Sequence, residues 1–217
     1  DAWQKMEFPR AFANTLFITA MSVFLIVLFG SMAGYALART SSKLGGRLFL
    51  FFLAGLVVPF QMNIVSLYKI VKALHLMNSP FAVILVDVAV NMPQAVFLFR
   101  EFVHSTVPVE LEEAAEIDGA SFWQKLVRIT VPMLKRTVIS VGVLVITGSL
   151  KVFEIVQQLT NGGPAHSSET LVTYSYSLTF GSREYGYGMT LATLTFLISF
   201  VIMMFYLYLT RDKESGG

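Results

Sequence analysis

Apolar residues occur along this chain in long uninterrupted blocks, and the polar residues are gathered into the short stretches between them. A helix needs about 20 apolar residues to cross a hydrocarbon core of ~30 Å. Five blocks reach that length, at about 11–38, 48–68, 81–99, 138–158 and 189–210. The second contains Pro59 and Gln61, so it is expected to kink or break near its outer end. Gly30 and Gly34 form a small-xxx-small pair that suits close helix packing, and Gly55, Gly142 and Gly148 read the same way. The pattern predicts an all-α, polytopic bundle, a single membrane domain over 11–210.

Composition agrees with the pattern. Apolar residues make up 55% of the 217 and charged residues only 14%, where a soluble domain carries about a quarter. Cysteine is absent, which removes a disulfide scaffold or a thiolate metal site. A net charge of +2 spread along the chain is no nucleic-acid footprint. His75, His104 and His166 fall in different loops separated by membrane, so they do not form one metal site. The chain opens on Asp1 with no charged, short-cored leader, so a signal peptide is not expected.

Lys and Arg concentrate on the cytoplasmic side of membrane proteins. With the loop after the first helix inside, the inner set is Arg39, Lys43, Arg47, Arg100, Lys125, Arg128, Lys135, Arg136, Arg211 and Lys213. The outer set is smaller: Lys5, Arg10, Lys69, Lys72, Lys151 and Arg183. This orientation starts the chain outside. A bacterial-type inner-membrane protein usually starts inside, so one further upstream helix is expected, six in all.

The inner loop from 100 to 137 is too long and too polar for a passive connector. It carries Glu101, Glu110, Glu112, Glu113, Glu116 and Asp118, six of the 14 acidic residues. Pro108 is suited to start a helix that runs to Asp118. Gly119 permits a sharp turn, Ser121 is a suitable N-cap for a second short helix, and Pro132 closes the unit. Ala114 and Ala115 give one face on which a partner can approach closely. The arrangement is that of a docking element.

Within that loop, Glu113-Ala114-Ala115, Gly119 three residues later, then nine residues, Ile129 and Val131-Pro132 resemble the EAA loop of ABC importer permeases. Val131 stands where that pattern usually has leucine. The likeness extends to 12–16 (FANTL), 34–39 (GYALAR), 59–61 (PFQ), 159–164 (LTNGGP) and 168–170 (SET), which resemble the carbohydrate-uptake branch of the maltose and glycerol-3-phosphate type. The 35–39 stretch looks like one permease partner type of that branch and the 159–170 stretch like the other.

The resemblance implies a multi-pass inner-membrane permease subunit that forms the path for a sugar-like solute. It would pair with a second permease subunit as a heterodimer and receive solute from an extracytoplasmic binding protein. Two ATPase subunits would dock on the 112–132 loop through Glu113, Ala114, Ala115, Asp118, Gly119, Ala120 and Pro132. The subunit itself would be no enzyme and hold no cofactor, with ATP and magnesium on the partner ATPase; the sequence has no G-x-x-x-x-G-K-[ST] phosphate loop.

Polar residues inside membrane helices are costly and default to functional candidates. Asp87, Asn91 and Gln94 lie roughly on one face, either a polar wall of the path or an interhelix hydrogen bond between two permeases. Lys151 and Glu154, three apart, are expected to pair, with Ser149 and Gln157 extending that surface. Asn63, Tyr68 and Phe153 complete the candidates, because hydroxyl-rich solutes suit amides and stacking aromatics. Tyr174, Tyr176, Tyr185 and Tyr187 read as an interfacial belt or as docking for the external binding protein. An ion-gradient-driven transporter or an intramembrane enzyme are the rival classes, and neither accounts for the spacing of the loop. The 161–164 stretch argues against an amino-acid or peptide importer.

Overall fold

The computed structural model describes residues 8–163 and 166–210; Lys5, Pro164, Arg211 and Lys213, used in the charge count or the loop motif, lie outside the described residues. Every regular element among them is helical. In chain order these are α1 (Phe8–Arg39), α2 (Lys43–Val57), a 3-10 turn (Phe60–Asn63), α3 (Ile64–Ala73), α4 (Pro80–Thr106) and α5 (Val109–Ile117). Next comes α6 (Phe122–Lys125), which runs on through a π turn (Leu126–Thr130) and a short α turn (Val131–Met133) before α7 (Lys135–Leu150). A π turn (Val156–Thr160), α8 (Leu171–Tyr176) with its π extension (Ser177–Gly181) and α9 (Tyr185–Thr210) complete the order.

Three helices, α1, α4 and α9, are each long and apolar enough to cross a membrane. The count reaches five if Lys43–Val57 with Phe60–Ala73, and Phe122–Met133 with Lys135–Leu150, are each taken as one broken span. The second block breaks where Pro59 predicted, because Val58 before it is held extended (ψ 116°). Two expectations need correcting. The third helix continues to Thr106 rather than ending near 99, since nothing between Arg100 and Thr106 breaks a helix. The fourth starts at Lys135 and stops at Leu150, so the continuous helix expected to 158 does not form.

Packing divides the chain into two compact units. The first takes the described residues of Asp1–Phe24, Pro59–Val90 and Val143–Gly217. Its core gathers Phe8, Ala11, Leu171, Tyr174, Leu178 and Leu191, with Phe12 stacked on Phe8 at 5.8 Å. Tyr174 is thus a core residue and not part of an interfacial belt; Tyr187 packs on the same cluster, while Tyr176 and Tyr185 are exposed. In α9 only 11% of the most apolar window is buried, so most of its large side chains face outward, as in a lipid-facing helix.

The second unit comprises Leu25–Val58 and Asn91–Gly142. Here α1 and α4 meet through the small residues. A Cβ on Gly34 would lie 2.5 Å from Phe99 Cβ and 3.0 Å from the Arg100 amide nitrogen, and one on Gly30 would lie 2.9 Å from Ala95 Cβ. Gly55 meets the Pro93 ring at 3.0 Å in the same way. Gly148, by contrast, faces open space, so the packing role expected for it is not realised within this chain. At one end of the unit Val103, Val107 and Leu134 form a buried cluster with Tyr35, Ala38 and Met133 against it.

The contrast between two glycines gives a test. Gly34→Ala forces backbone apart and is expected to cost about 1–3 kcal/mol, seen as a lower melting temperature of the detergent-solubilised protein. Gly46→Ala, which meets no atom within 4 Å, is expected to leave it unchanged or slightly raised.

Candidate functional site

The loop between α4 and α7 builds itself from local signals. Pro108 (φ −59°, ψ 134°) ends the extended step after α4 and launches α5. The C-terminus of α5 is a Schellman turn: the Gly119 amide donates to the Glu116 carbonyl at 3.0 Å and the Ala120 amide to the Ala115 carbonyl at 2.9 Å. This turn puts Gly119 at φ +84°, where an L side chain is strained. Ser121 then caps α6 in a reciprocal box, its Oγ accepting from the Gln124 amide at 3.4 Å while its own amide donates to Gln124 Oε1 at 2.7 Å. Pro132 has no amide to give the Arg128 carbonyl, and the turn before it widens, the Val131 amide reaching back to Leu126.

One carboxylate ties this loop to the ends of the long helices. Glu112 is 8% exposed. It accepts from Arg39 Nε at 2.9 Å, from Thr130 Oγ1 at 2.9 Å and, at 3.4 Å to each oxygen, from the Tyr35 hydroxyl. Arg39 also donates through Nη2 to the Val107 carbonyl at 2.9 Å, so the guanidinium at the end of α1 closes the end of α4 as well. The Tyr35 ring meets Phe122 edge-on at 6.4 Å. A second pair, Lys125 Nζ to Glu116 Oε2 at 2.6 Å, braces α6 against α5. That contact holds the Glu116 carboxyl below its ordinary value, chiefly through the hydrogen bond and then through the ammonium charge.

With Glu112 turned inward, the opposite side of α5 is displayed. Glu113, Ala114, Asp118, Gly119 and Pro132 are exposed, and Ala115 and Ala120 are half-buried. Beside them stand apolar side chains that the motif alone does not single out: Ile117 is 86% exposed and Trp123 is 70% exposed. Sequence reasoning also passed over Glu112 and Arg39 as partners. The available signal was an arginine closing an apolar helix with nothing nearby to neutralise it, and four glutamates on one short helix, of which a single one shares the Ala115 side.

The polar candidates of the membrane helices fall in several different settings. Asp87 is 3% exposed and accepts from Ser149 Oγ at 2.7 Å, an interhelix hydrogen bond within one chain. Lys151 and Glu154 do not pair, because the helix that would have aligned them ends at Leu150. Glu154 instead accepts from Gln61 Nε2 at 2.7 Å, and Lys151 is exposed. The Val152 carbonyl freed at this break is taken by Thr170 Oγ1 at 3.2 Å. Phe153 lies edge-on to Tyr176 at 5.0 Å, and Gln157 Nε2 donates to Asn161 Oδ1 at 2.9 Å. Asn63, Tyr68 and Gln94 are exposed and Asn91 is half-buried.

Two separate stretches quoted above converge. Asn14 Nδ2 donates to the carbonyls of His166 and Glu169 at 3.0 and 3.1 Å. The Leu171 amide donates to Thr15 Oγ1 at 3.0 Å. The loop so held starts with three successive left-handed residues, Asn161 (φ 47°), Gly162 (82°) and Gly163 (72°). A Cβ on Gly163 would lie 2.5 Å from Ser167 Oγ, so the close return of the chain needs glycine there.

Residues 15–214 match the family described as binding-protein-dependent transport system inner membrane component. The melibiose/raffinose/stachyose import permease protein MelC of Bacillus subtilis is 37% identical over 135 residues, 62% of this chain and 49% of that protein. The chain thus spans about half the length of that relative. The probable ABC transporter permease protein YurM of Bacillus subtilis is 30% identical over 222 residues, covering 100% of this chain and 71% of YurM. Among solved structures, a bacterial ABC transporter involved in the import of the acidic polysaccharide alginate superposes with a TM-score of 0.75 at 18% identity. The match covers 96% of this chain and 80% of that chain, and places the fold in the same helical membrane architecture.

Two outcomes follow from the loop geometry. Glu112→Ala leaves Arg39 without its carboxylate and is expected to cost about 3 kcal/mol in unfolding; combined with Arg39→Ala it is expected to cost clearly less than the sum of the two single changes, as a double-mutant cycle of melts will read. For Glu116 the sign follows from its lowered pKa. The pair contributes once pH exceeds the unfolded carboxyl value, ordinarily 4.5, and is lost as pH falls through the lowered folded value. Trp123 emission, measured in a Trp3→Phe background, is expected to shift on acidification through that range, and the shift is expected to be absent in Glu116→Gln.

Proposed function

This chain belongs to the binding-protein-dependent transport system inner membrane components, and from that premise we propose that it is the permease subunit of an ATP-driven importer for a saccharide. In this reading it pairs with a second permease subunit in the cytoplasmic membrane of the cell. It takes solute from an extracytoplasmic binding protein and docks two ATPase subunits, which hold the ATP and magnesium, on the loop 112–132. In this reading ATP is hydrolysed on those subunits, and the part of this chain is mechanical and selective.

The observation that carries the reading is the Glu112 junction. It fixes α5 to the ends of α1 and α4 while leaving Glu113, Ala114, Ile117 and Asp118 exposed on the other side. Force applied by an ATPase to the exposed side is passed through the Arg39–Glu112 pair into two long helices, not absorbed by a slack connector. Ile117 and Trp123 offer apolar contact and the acidic residues set register, which suits a pocket with a basic rim. A saccharide solute is supported by the amides and hydroxyls among the polar candidates, Asn63, Tyr68, Asn91, Gln94, Ser149 and Gln157, and by the sugars named for MelC.

Co-purification from membranes tests the docking directly. The tagged full-length protein is expected to bring an ATPase with it in mild detergent, and Ile117→Asp, at an exposed position that holds no fold contact, is expected to reduce recovery about tenfold or more. Absence of any ATPase with the wild type, or full recovery with Ile117→Asp, would refute docking on this face and restore an ion-driven transporter as the leading account.

A further inference from the structure

The turn at 161–163 and the segment that returns to it border a polar cleft of about 290 Å³. Six side chains on its wall matter: Gln157, Asn161, His166, Glu169, Tyr176 and Ser177. We propose that this cleft is a binding site for a single neutral sugar ring, separate from the Asp87, Ser149 and Lys151 region. The inference rests on the saccharide reading above and assigns that solute a particular place and charge preference.

The volume is at the lower end of ligand pockets, roughly 300–1,000 Å³, which suits one ring and not a chain of them. The chemistry is that of hydroxyl recognition. Gln157 Nε2 is used by Asn161 Oδ1, which leaves Gln157 Oε1 as an acceptor and Asn161 Nδ2 as a donor for the cleft. Glu169, 6% exposed, pairs through Oε2 with His166 Nδ1, so Oε1 stays available as a second acceptor, and with Nδ1–H given to the carboxylate a neutral imidazole offers Nε2 as an acceptor too. The Ser177 hydroxyl serves either way. The cleft thus presents both donors and acceptors, as the donor-acceptor character of a sugar hydroxyl requires.

Tyr176 supplies the apolar surface that the C–H face of a sugar ring covers. Its ring is braced by Phe153 at 5.0 Å and Phe180 at 4.9 Å, so its orientation is set before ligand arrives. The His166–Glu169 segment of the wall is equally prearranged. Asn14 holds the carbonyls of His166 and Glu169, and the Ser168 amide and hydroxyl bind the Gly162 carbonyl at 3.0 Å and Thr160 Oγ1 at 2.8 Å. Little ordering remains to be done on binding. Charge then decides the class of sugar. The buried Glu169 carboxylate would face the carboxylate of a uronic acid across the same small cavity, and like charges there disfavour it.

Saturation-transfer NMR on the full-length permease in its assembled complex, in lipid nanodiscs, tests this with two probes, methyl α-D-galactopyranoside and sodium galacturonate. The methyl glycoside is expected to receive saturation at its ring protons and galacturonate much less. Tyr176→Leu and Gln157→Leu are each expected to reduce the methyl glycoside signal about fivefold, while Tyr176→Phe retains it. Glu169→Gln is expected to narrow the difference between the two sugars. No signal with the wild type, an unchanged signal in both Leu variants, or equal binding of galacturonate overturns the site. Intact ATPase co-purification alongside any of these results confines the failure to the cleft; loss of the ATPase with the sugar signal intact removes the transport reading instead.

Discussion

A single carboxylate organises the loop between α4 and α7. Glu112 receives Arg39, Thr130 and Tyr35 in a largely buried setting, and Arg39 in turn closes the Val107 carbonyl. An ion pair so placed is a poor source of net stability, because desolvation takes back most of what Coulomb attraction contributes. It is a strong source of uniqueness, because no other orientation of α5 gives both charges their partners. Rotating α5 by one residue would carry Glu112 away from Arg39 and Thr130 and leave the guanidinium without its carboxylate. The face presented outward is therefore determined by the face that is pinned.

The rest of the loop is compatible with that constraint and adds to it. The Schellman turn at Gly119, the capping box at Ser121 and the Lys125–Glu116 brace limit the ways α6 can leave α5. Close contact of Gly30 and Gly34 with Ala95 and Phe99 brings α1 and α4 near enough for Arg39 to reach both Glu112 and Val107. Small side chains in the helix packing and a charge pair at its end are thus two parts of one arrangement. In a membrane, where apolar burial between helices contributes little, close packing of this kind is a principal source of helix association.

The 161–170 loop follows a different logic, built chiefly on bonds to the backbone. Three left-handed residues reverse the chain, and side chains from residues 14, 15 and 170 take up the amides and carbonyls left by the reversal and by the helix break at Leu150. Irregular backbone is tolerated at such a place when it lines a polar cavity and its groups are satisfied. The cavity at 157–177 is the space that this irregularity creates.

Much of this was legible in the sequence. Hydrophobic blocks of spanning length, the break at Pro59, the glycine packing of α1 and the two-helix loop with its turn at Gly119 and cap at Ser121 are all local: each depends on residues within one or two helical turns. The identity of the loop motif was legible for the same reason, since its spacing is a property of one contiguous segment. What tertiary structure decided are the pairings over distance. Glu112 was one acidic residue among six in the loop until Arg39, 73 positions away, reached it. Glu154 was expected to meet Lys151 by helical spacing, but a carbonyl partner at Thr170 let the helix end early and Gln61 took its place. Tyr174 looked interfacial and is core because α9 packs across it. Periodicity reads which side of a helix is apolar; it does not state which polar group on another helix will meet it, and on that the 107–134 loop and the 157–177 cleft both depend.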